Sequence, residues 1–539
     1  MKLQPGSELS GMGIGDTAVR AEVFRLKARQ RANSSTRVGT ATDETARLVL
    51  AIDSVANDLD QLTQSPTAVN ADILEALAQL VRDPELLRVA TSHIETGMSA
   101  VSAITAAVEE FAALLSGDSF LEERANDLRE LGMEVVAKLN GFDAPQLPNN
   151  EIVIVTEDLS PADLARLGSN VVGVVLQASG PTSHTAIMLR SMGLPAVIGC
   201  SGASQLVDGQ QVLVDPAGDR VLVDAELSLA TRAITLIAKN SKPLIPVRAN
   251  VGSLSEAIRA ATTSASGVGL LRTELLYLTT TRIPTTAEQT ESYREMFTAS
   301  PEGPIVVRTI DVSTDKPVPF LNSDYGDLVS PGYTLLRDNR AFLAEQLASI
   351  EGARLASGRE VWVMAPMIQS SAEALDFARL ARSCGQFRVG VMVEVPNLIP
   401  ELEDLANEID FVSVGTNDLS QFLFETNRLA PLSPELLSPW QPKLISALRE
   451  IAEHCTAIGL LSSVCGESAS DPLFAIVLAG LGFDSVSTAN AQVAAVTSSL
   501  SAVSELEAAG LAALALSANS AAEAKANVLA GLRDLGLGS

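Results

Sequence analysis

The sequence predicts a multidomain α/β protein that ends in an eight-stranded (β/α)8 barrel of the TIM type. Three observations predict it. A long stretch with apolar residues spaced three and four apart reads as packed helices. A shorter stretch of β-rich runs separated by turns follows it. Eight strand-like runs then alternate with helical segments over about 250 residues, the pattern of a closed parallel barrel.

The elements follow in order. Residues 18–26 read as a strand. Residues 45–62, 71–80, 83–95, 98–115 and 120–139 read as helices, and Asp83-Pro84-Glu85 is a helix start with proline at the first position. Gly141 and Pro145 close this region. Strands are expected over 152–155, 171–176, 196–199, 211–214 and 221–223, then a connecting helix over 225–239. The eight barrel strands are placed at 244–249, 267–271, 305–310, 361–364, 389–393, 411–414, 460–464 and 485–488. Residues 1–33 and 146–225 together form the small α/β domain, and 34–145 the helical subdomain. Residues 226–243 form a linker helix, 244–510 the barrel, and 511–539 a helical tail that packs on the barrel or helps an oligomer form.

With 38 basic against 65 acidic residues the net charge is −27, which excludes nucleic acid or an anionic membrane as the main partner. An anionic substrate therefore needs a local basic pocket. The four cysteines are scattered without a CxxC pair, as in a cytoplasmic chain with reduced thiols. Residues 1–16 hold no apolar core, so no signal peptide is expected, and the apolar run 473–483 is too short to span a bilayer. A cytosolic protein is expected.

Barrel chemistry sits at the carboxyl ends of strands. The run ending at 271 is followed by Arg272, and Arg308 is followed by Asp311 and Lys316. Glu394 closes the run 389–393, Gly415-Thr416-Asn417-Asp418 the run 411–414, and Cys465-Gly466-Glu467 the run 460–464. Guanidinium forks bind phosphate in a bidentate way. Two carboxylates completed by substrate and water suit Mg2+. Cys465 reads either as a proton donor or as a small buried apolar residue. Together these types suggest a phosphate ester handled with magnesium.

A second centre is Ser179-Gly180-Pro181-Thr182-Ser183-His184-Thr185-Ala186-Ile187-Met188. Thr182 or Ser183 can cap the following helix and Gly193 can end it. His184 then lies at a helix N-terminus, where free amides favour an anion. The bland alternative is a capping or core histidine. His93 and His454 lack such a context and read as surface or packing residues.

The stretch Gly180-Pro181-Thr182-Ser183-His184-Thr185-Ala186-Ile187 resembles the phosphohistidine motif of Enzyme I of the sugar phosphotransferase system and of its relatives, pyruvate phosphate dikinase and phosphoenolpyruvate synthase. Leu270-Leu271-Arg272-Thr273-Glu274, Val307-Arg308-Thr309-Ile310-Asp311, Met392-Val393-Glu394-Val395-Pro396, Gly415-Thr416-Asn417-Asp418-Leu419 and Val464-Cys465-Gly466-Glu467 resemble the phosphoenolpyruvate-binding barrel of the same family. Phe120-Leu121-Glu122-Glu123-Arg124-Ala125-Asn126-Asp127-Leu128-Arg129 resembles the carrier-binding half of Enzyme I. In this sequence 183 residues precede His184 and most read as helices without a Gly-rich phosphate loop, so the domain order of Enzyme I is expected and not that of a dikinase or synthase.

The resemblance implies an enzyme with a helical carrier-binding subdomain, a small swivelling phosphohistidine domain and the barrel. It implies that Arg272, Arg308 and Arg428 bind the phosphate and carboxylate of phosphoenolpyruvate and that Asn417 holds the phosphate. Glu394 and Asp418 would bind Mg2+, His184 would attack phosphorus, and Cys465 would protonate the enolate. The implied partner is an HPr-type phosphocarrier, and the implied oligomer a homodimer through the barrel. The histidine must then visit both the barrel and the carrier, by a swivel about the linkers near Pro145 and residues 225–242.

Two places depart from the family pattern. The stretch Val312-Ser313-Thr314-Asp315-Lys316 lacks the family's glycine, and Thr334 stands where the family has the first of two arginines, leaving Arg337. Losing one charge-assisted bond from a phosphate site costs about 1.5–3 kcal/mol. The rival reading is therefore a weakened or regulatory paralogue that still docks a carrier.

Overall fold

The computed structural model describes residues 3–537 except 16, 27–36, 64–70, 116–118, 143–146, 179–183, 230–235, 237, 277–281, 312–331 and 425–437. The chain divides into two compact units, Met1–Ala233 and Ile234–Ser539.

In the first unit, strands β1 (Glu8–Ser10), β2 (Met12–Ile14), β3 (Val19–Arg25), β4 (Ile152–Thr156), β5 (Val171–Leu176), β6 (Ala196–Ile198), β7 (Gln211–Asp215) and β8 (Arg220–Val223) form one sheet, ordered β1-β8-β7-β3-β4-β5-β6-β2. β3 pairs with β4 in parallel, so the N-terminal strand and the strands beyond residue 150 share a sheet. β1 and β2 were not foreseen: three residues are too few to display a period. Side chains alternate across the sheet, as the pleat requires. Ile152 and Ile154 pack on one face, and Val153 and Val155 on the other.

Between β3 and β4 come helices α1 (Ala41–Thr63), α2 (Ala71–Val81), α3 (Pro84–Glu95), α4 (Ala100–Leu115) and α5 (Ser119–Leu139), sharing a core that includes Leu48, Val55, Leu59, Ile94, Ile104 and Val135. Asp83 caps α3: its Oδ1 accepts from the amides of Glu85 at 2.7 Å and Leu86 at 3.4 Å. Two short helices, α6 (Pro161–Ala165) and α7 (His184–Met192), cover one sheet face. Ala162 of α6 joins the core of the helical subdomain, and Arg166 makes two 2.9 Å bonds to the carboxylate of Glu134 on α5. The helical and sheet portions are thus tied by packing and by an ion pair.

The second unit is a closed parallel barrel of β9 (Val247–Val251), β10 (Val268–Arg272), β11 (Ile305–Arg308), β12 (Val361–Ala365), β13 (Arg388–Val393), β14 (Phe411–Val414), β15 (Leu461–Val464) and β16 (Ser485–Thr488). All eight expected strands are present. Around them lie α8 (Leu254–Ala261), α9 (Thr286–Ala299), α10 (Gly332–Asp338), α11 (Arg340–Ser357), α12 (Ser371–Cys384), α13 (Thr416–Leu423), α14 (Pro442–Ile458), α15 (Pro472–Leu481), α16 (Val493–Ala502), α17 (Glu505–Leu516) and α18 (Ala521–Asp534).

Outward residues such as Val307, Val363, Val391 and Val412 meet the helices. Inside the barrel, Leu270, Val306, Trp362, Met364, Met392, Phe411 and Cys465 form a second, separate cluster. The tail is ordered against the barrel: Leu511 and Ala515 of α17 and Val528 and Leu532 of α18 belong to its outer core. A Cβ on Gly480 would stand 2.1 Å from the Ala508 carbonyl oxygen, so only glycine lets α15 and α17 approach so closely.

Of the connecting helix expected over 225–239, the described residues show one turn at Leu227–Leu229. Residues 230–235 and 237 lie outside the described set. Among the described residues no single helix is long and apolar enough to cross a membrane.

Candidate functional site at the carboxyl ends of the barrel strands

Parallel pairing brings the ends of β10, β11, β13, β14 and β15 to one rim of the barrel. Arg272 ends β10 and Arg308 ends β11, and the two are in register. Their environments differ. Arg272 is exposed, whereas Arg308 is buried among acidic side chains. Its Nη2 donates to Glu274, its Nη1 lies 3.1 Å from Asp311 Oδ2, and the same Nη1 is 3.9 Å from Glu394 Oε1. Burial pulls the Arg308 guanidinium down, but the carboxylates of Glu274, Asp311 and Glu394 outweigh it and hold it above its ordinary value.

Arg308 Nε and Glu274 Oε2 are both buried without a hydrogen-bond partner, as expected where a ligand completes the bonding. Glu274 was given no role by the sequence reading, and Asp311 was noted beyond Arg308 without one. The available signal was two acidic residues just beyond apolar strand runs.

Glu394 follows β13, and its Oε2 accepts a 2.9 Å bond from the Met367 amide. Met367 holds a left-handed backbone, φ 54°, in the turn after β12. Non-glycine residues rarely adopt that conformation, and here it turns an amide onto the carboxylate. Gly415 separates β14 from α13, and a Cβ there would meet Glu394 Oε1 at 2.5 Å. Glycine is required for this close approach.

Asn417 and Asp418 lie in the first turn of α13. Asn417 Oδ1 accepts from the Glu467 amide at 3.1 Å, and Thr416 Oγ1 lies 2.8 Å from Ser468 Oγ, so the loops after β14 and β15 brace one another. The Cys465 Sγ donates to the Val414 carbonyl at 3.5 Å. Burial, reinforced by Glu394, pushes the Cys465 thiol up to about 11, so it is protonated at neutral pH. Cys465 is thus a buried, protonated thiol.

The donor set fits a hard cation. Glu394 and Asp418 follow neighbouring strands, and three carboxylates around one guanidinium leave excess negative charge. Mg2+ binds through one or two carboxylates and completes its shell with substrate and water. Among the described residues no group of three or more His, Cys, Asp or Glu side chains converges on one point that could hold a metal ion.

His184 is in the first unit, where it opens α7. The Thr185 hydroxyl donates to the Leu159 carbonyl at 2.9 Å and to Asp158 at 3.2 Å, pinning the helix start, and Gly193, φ 64°, follows its end. Thr182 and Ser183 lie outside the described residues, as do Arg428 and Lys316. Thr334 lies in α10.

Three domain families match the chain: "PEP-utilising enzyme, N-terminal" over residues 8–124, "mobile domain" over 148–219 and "PEP-binding domain" over 229–505. The chain belongs to the PEP-utilising enzymes. Within this family it is 35% identical over 512 residues to the phosphoenolpyruvate-protein phosphotransferase of Streptomyces coelicolor, covering 90% of this chain and 91% of the relative. It is 28% identical over 545 residues to the enzyme of that name from Bacillus subtilis, covering 93% and 95%. With the Latilactobacillus sakei enzyme it shares 27% identity over 564 residues, covering 96% and 98%. The PEP-binding match spans the whole rim built by Arg272, Arg308, Glu394, Asn417, Asp418 and Cys465, and the mobile-domain match spans His184.

Proposed function

We propose that the chain is a phosphoenolpyruvate-protein phosphotransferase, which moves phosphate from phosphoenolpyruvate to His184 and then to an HPr-type carrier protein. The observation that carries this reading is the rim itself: a buried, carboxylate-held Arg308 beside an exposed Arg272, with a protonated Cys465 on the same end of the barrel. Family membership and full-length similarity to enzymes of that name support it.

In this reading Arg272, Arg308 and Arg428 take the phosphate and carboxylate of the substrate, and Asn417 holds the phosphate. Glu394 and Asp418 would hold Mg2+, which when bound spreads the charge of the leaving enolate. The neutral imidazole of His184 attacks phosphorus. A P–N bond forms as the bond from phosphorus to the enol oxygen breaks. The electron pair returns through the enolate to its terminal carbon, which takes the Cys465 proton, giving pyruvate. Solvent then restores the thiol proton. Phosphohistidine at the start of α7 is stabilised by the free amides there.

In this reading His184, in the first unit, serves both the barrel substrate and the carrier by a swivel about the linkers near residues 145 and 225–242. A cytoplasmic homodimer joined through the barrel is part of the same reading.

The test is incubation of the pure protein with labelled phosphoenolpyruvate and Mg2+, with His184→Ala alongside. Acid-labile label on the native protein and none on the variant is expected. Absence of label on a folded native protein would overturn the reading and leave a carrier-binding paralogue, with the stretch 315–337 as its cause.

A further inference from the structure

Helix α11 faces the barrel with Phe342, Leu343, Leu347, Ile350 and Ala353, and a leucine would continue this pattern at 346. The residue there is Gln346, fully buried. A buried amide costs free energy unless it is hydrogen-bonded. Here the oxygen and both N–H groups have partners. Gln346 Oε1 accepts from the Ile310 amide at 3.1 Å, and Nε2 donates to Thr273 Oγ1 at 3.1 Å and to the Tyr293 hydroxyl at 3.0 Å. The Thr273 hydroxyl in turn donates to the Arg308 carbonyl at 2.9 Å.

These bonds converge on the backbone beside the two arginines. Thr273 follows Arg272, and the Arg308 carbonyl and Ile310 amide bracket the segment running from Arg308 toward Asp311. The barrel ladder serves this segment only as far as the Thr309 amide, which bonds to the Met364 carbonyl at 2.9 Å. Beyond it, the Ile310 amide takes a side-chain acceptor in place of a neighbouring strand. Tyr293 on α9 anchors the far side of the amide. A packing role alone needs neither the amide nor its aim at both strand ends.

We propose that Gln346 is a positioning residue, fixing the spacing of Arg272 and Arg308 through Thr273 and Ile310. The role rests on the reading that these arginines bind phosphoenolpyruvate. It acts through backbone, so Gln346 touches no substrate. Removing the amide frees the segment that carries Arg308, and a loose guanidinium fork loses its bidentate match to phosphate or carboxylate.

The experiment measures phosphoenolpyruvate binding by calorimetry, with Mg2+, on the full chain carrying His184→Ala so that no turnover occurs. Gln346→Met keeps the volume and removes all three bonds. Thr273→Val removes the hydroxyl that links Gln346 to the Arg308 carbonyl and leaves the bonds of Gln346 to Ile310 and Tyr293, and it stands in if the first variant fails to fold. Both are expected to weaken binding by about tenfold, the scale of one net hydrogen bond. Leu343→Ala, a packing change on the same helix, should lower thermal stability and leave affinity unchanged. Parent-like affinity in a folded Gln346→Met or Thr273→Val protein overturns the proposal alone. If the His184→Ala parent itself binds no phosphoenolpyruvate, the substrate reading fails, and the positioning role falls with it.

Discussion

Arg308 Nη1 stands 3.1 Å from Asp311 Oδ2, with both side chains almost fully buried. An ion pair this dry is held by its surroundings. Breaking it by removing one partner leaves uncompensated charge in a low dielectric.

Arg308→Met therefore leaves Glu274, Asp311 and Glu394 facing one another, and should lower stability by about 3–5 kcal/mol. Arg272→Met removes an exposed charge and should change stability by less than about 0.5 kcal/mol while still weakening phosphoenolpyruvate binding. Urea denaturation followed by tryptophan fluorescence checks both. The chain's two tryptophans, Trp362 and Trp440, both lie in the second unit, so the signal reports on the barrel.

Thiol chemistry should separate by burial. Burial pushes Cys200 and Cys455 up to about 12 and Cys465 up to about 11, while Cys384 is partly exposed. At pH 8 an alkylating reagent should modify Cys384 quickly and the other three only on unfolding, read by peptide mass spectrometry. These raised values favour the protonated folded state. Their stabilising contribution is complete below the unfolded thiol value of about 8.5 and is lost as pH rises toward about 11 to 12.

Cys465→Ala should bind phosphoenolpyruvate normally and form pyruvate at least about 100-fold more slowly, the scale of a lost general acid. Pyruvate release assayed between pH 6 and pH 9 should show no loss of the donor in the native enzyme, because the thiol stays protonated across that range. Normal pyruvate formation by the variant would remove Cys465 from the mechanism.

The two carboxylates assigned to magnesium differ in setting. Glu394 is buried and bonded to the Met367 amide, so Glu394→Gln should reduce labelling of His184 by about 100-fold or more at any Mg2+ concentration. Asp418 is half-buried at the start of α13, and Asp418→Asn should raise the Mg2+ concentration needed and recover much of the rate at saturation. A magnesium titration of initial labelling rates distinguishes the two.

In the first unit, Arg166→Met should weaken the tie between the helical subdomain and the sheet. Burial lowers the Arg166 guanidinium's proton affinity, but Glu134, Asp163 and Asp58 more than restore it. Losing two charge-assisted bonds from the half-buried Glu134 pair should cost about 1.5–3 kcal/mol. With no tryptophan in this unit, its unfolding is read as the helical circular dichroism transition that the tryptophan signal of the barrel does not share.

Much of the architecture was legible because it is local. Spacing of three and four in residues 45–139 marks helices, and short β-rich runs mark the barrel strands, each bounded within a few residues of the structure. The polar residues closing those runs were legible for the same reason: a strand end is a position in sequence. A helix opening near His184 was expected from the cap-type residues Thr182 and Ser183 before it and Gly193 after it, and α7 spans His184–Met192.

Pairing was not legible. Glu274 meets Arg308 across 34 residues, and Gln346 reaches Ile310, Tyr293 and Thr273 across 36, 53 and 73. The left-handed turn at Met367 leaves no mark in a Met-Ile-Gln stretch. Sequence alone determined which elements form and which chemical groups stand at their ends, because hydrophobic period and turn chemistry act over one or two turns of chain. Only closure of the barrel decided that Arg308 is a buried hub while Arg272 stays in solvent, because burial and charge pairing depend on which distant segments the closed sheet brings together.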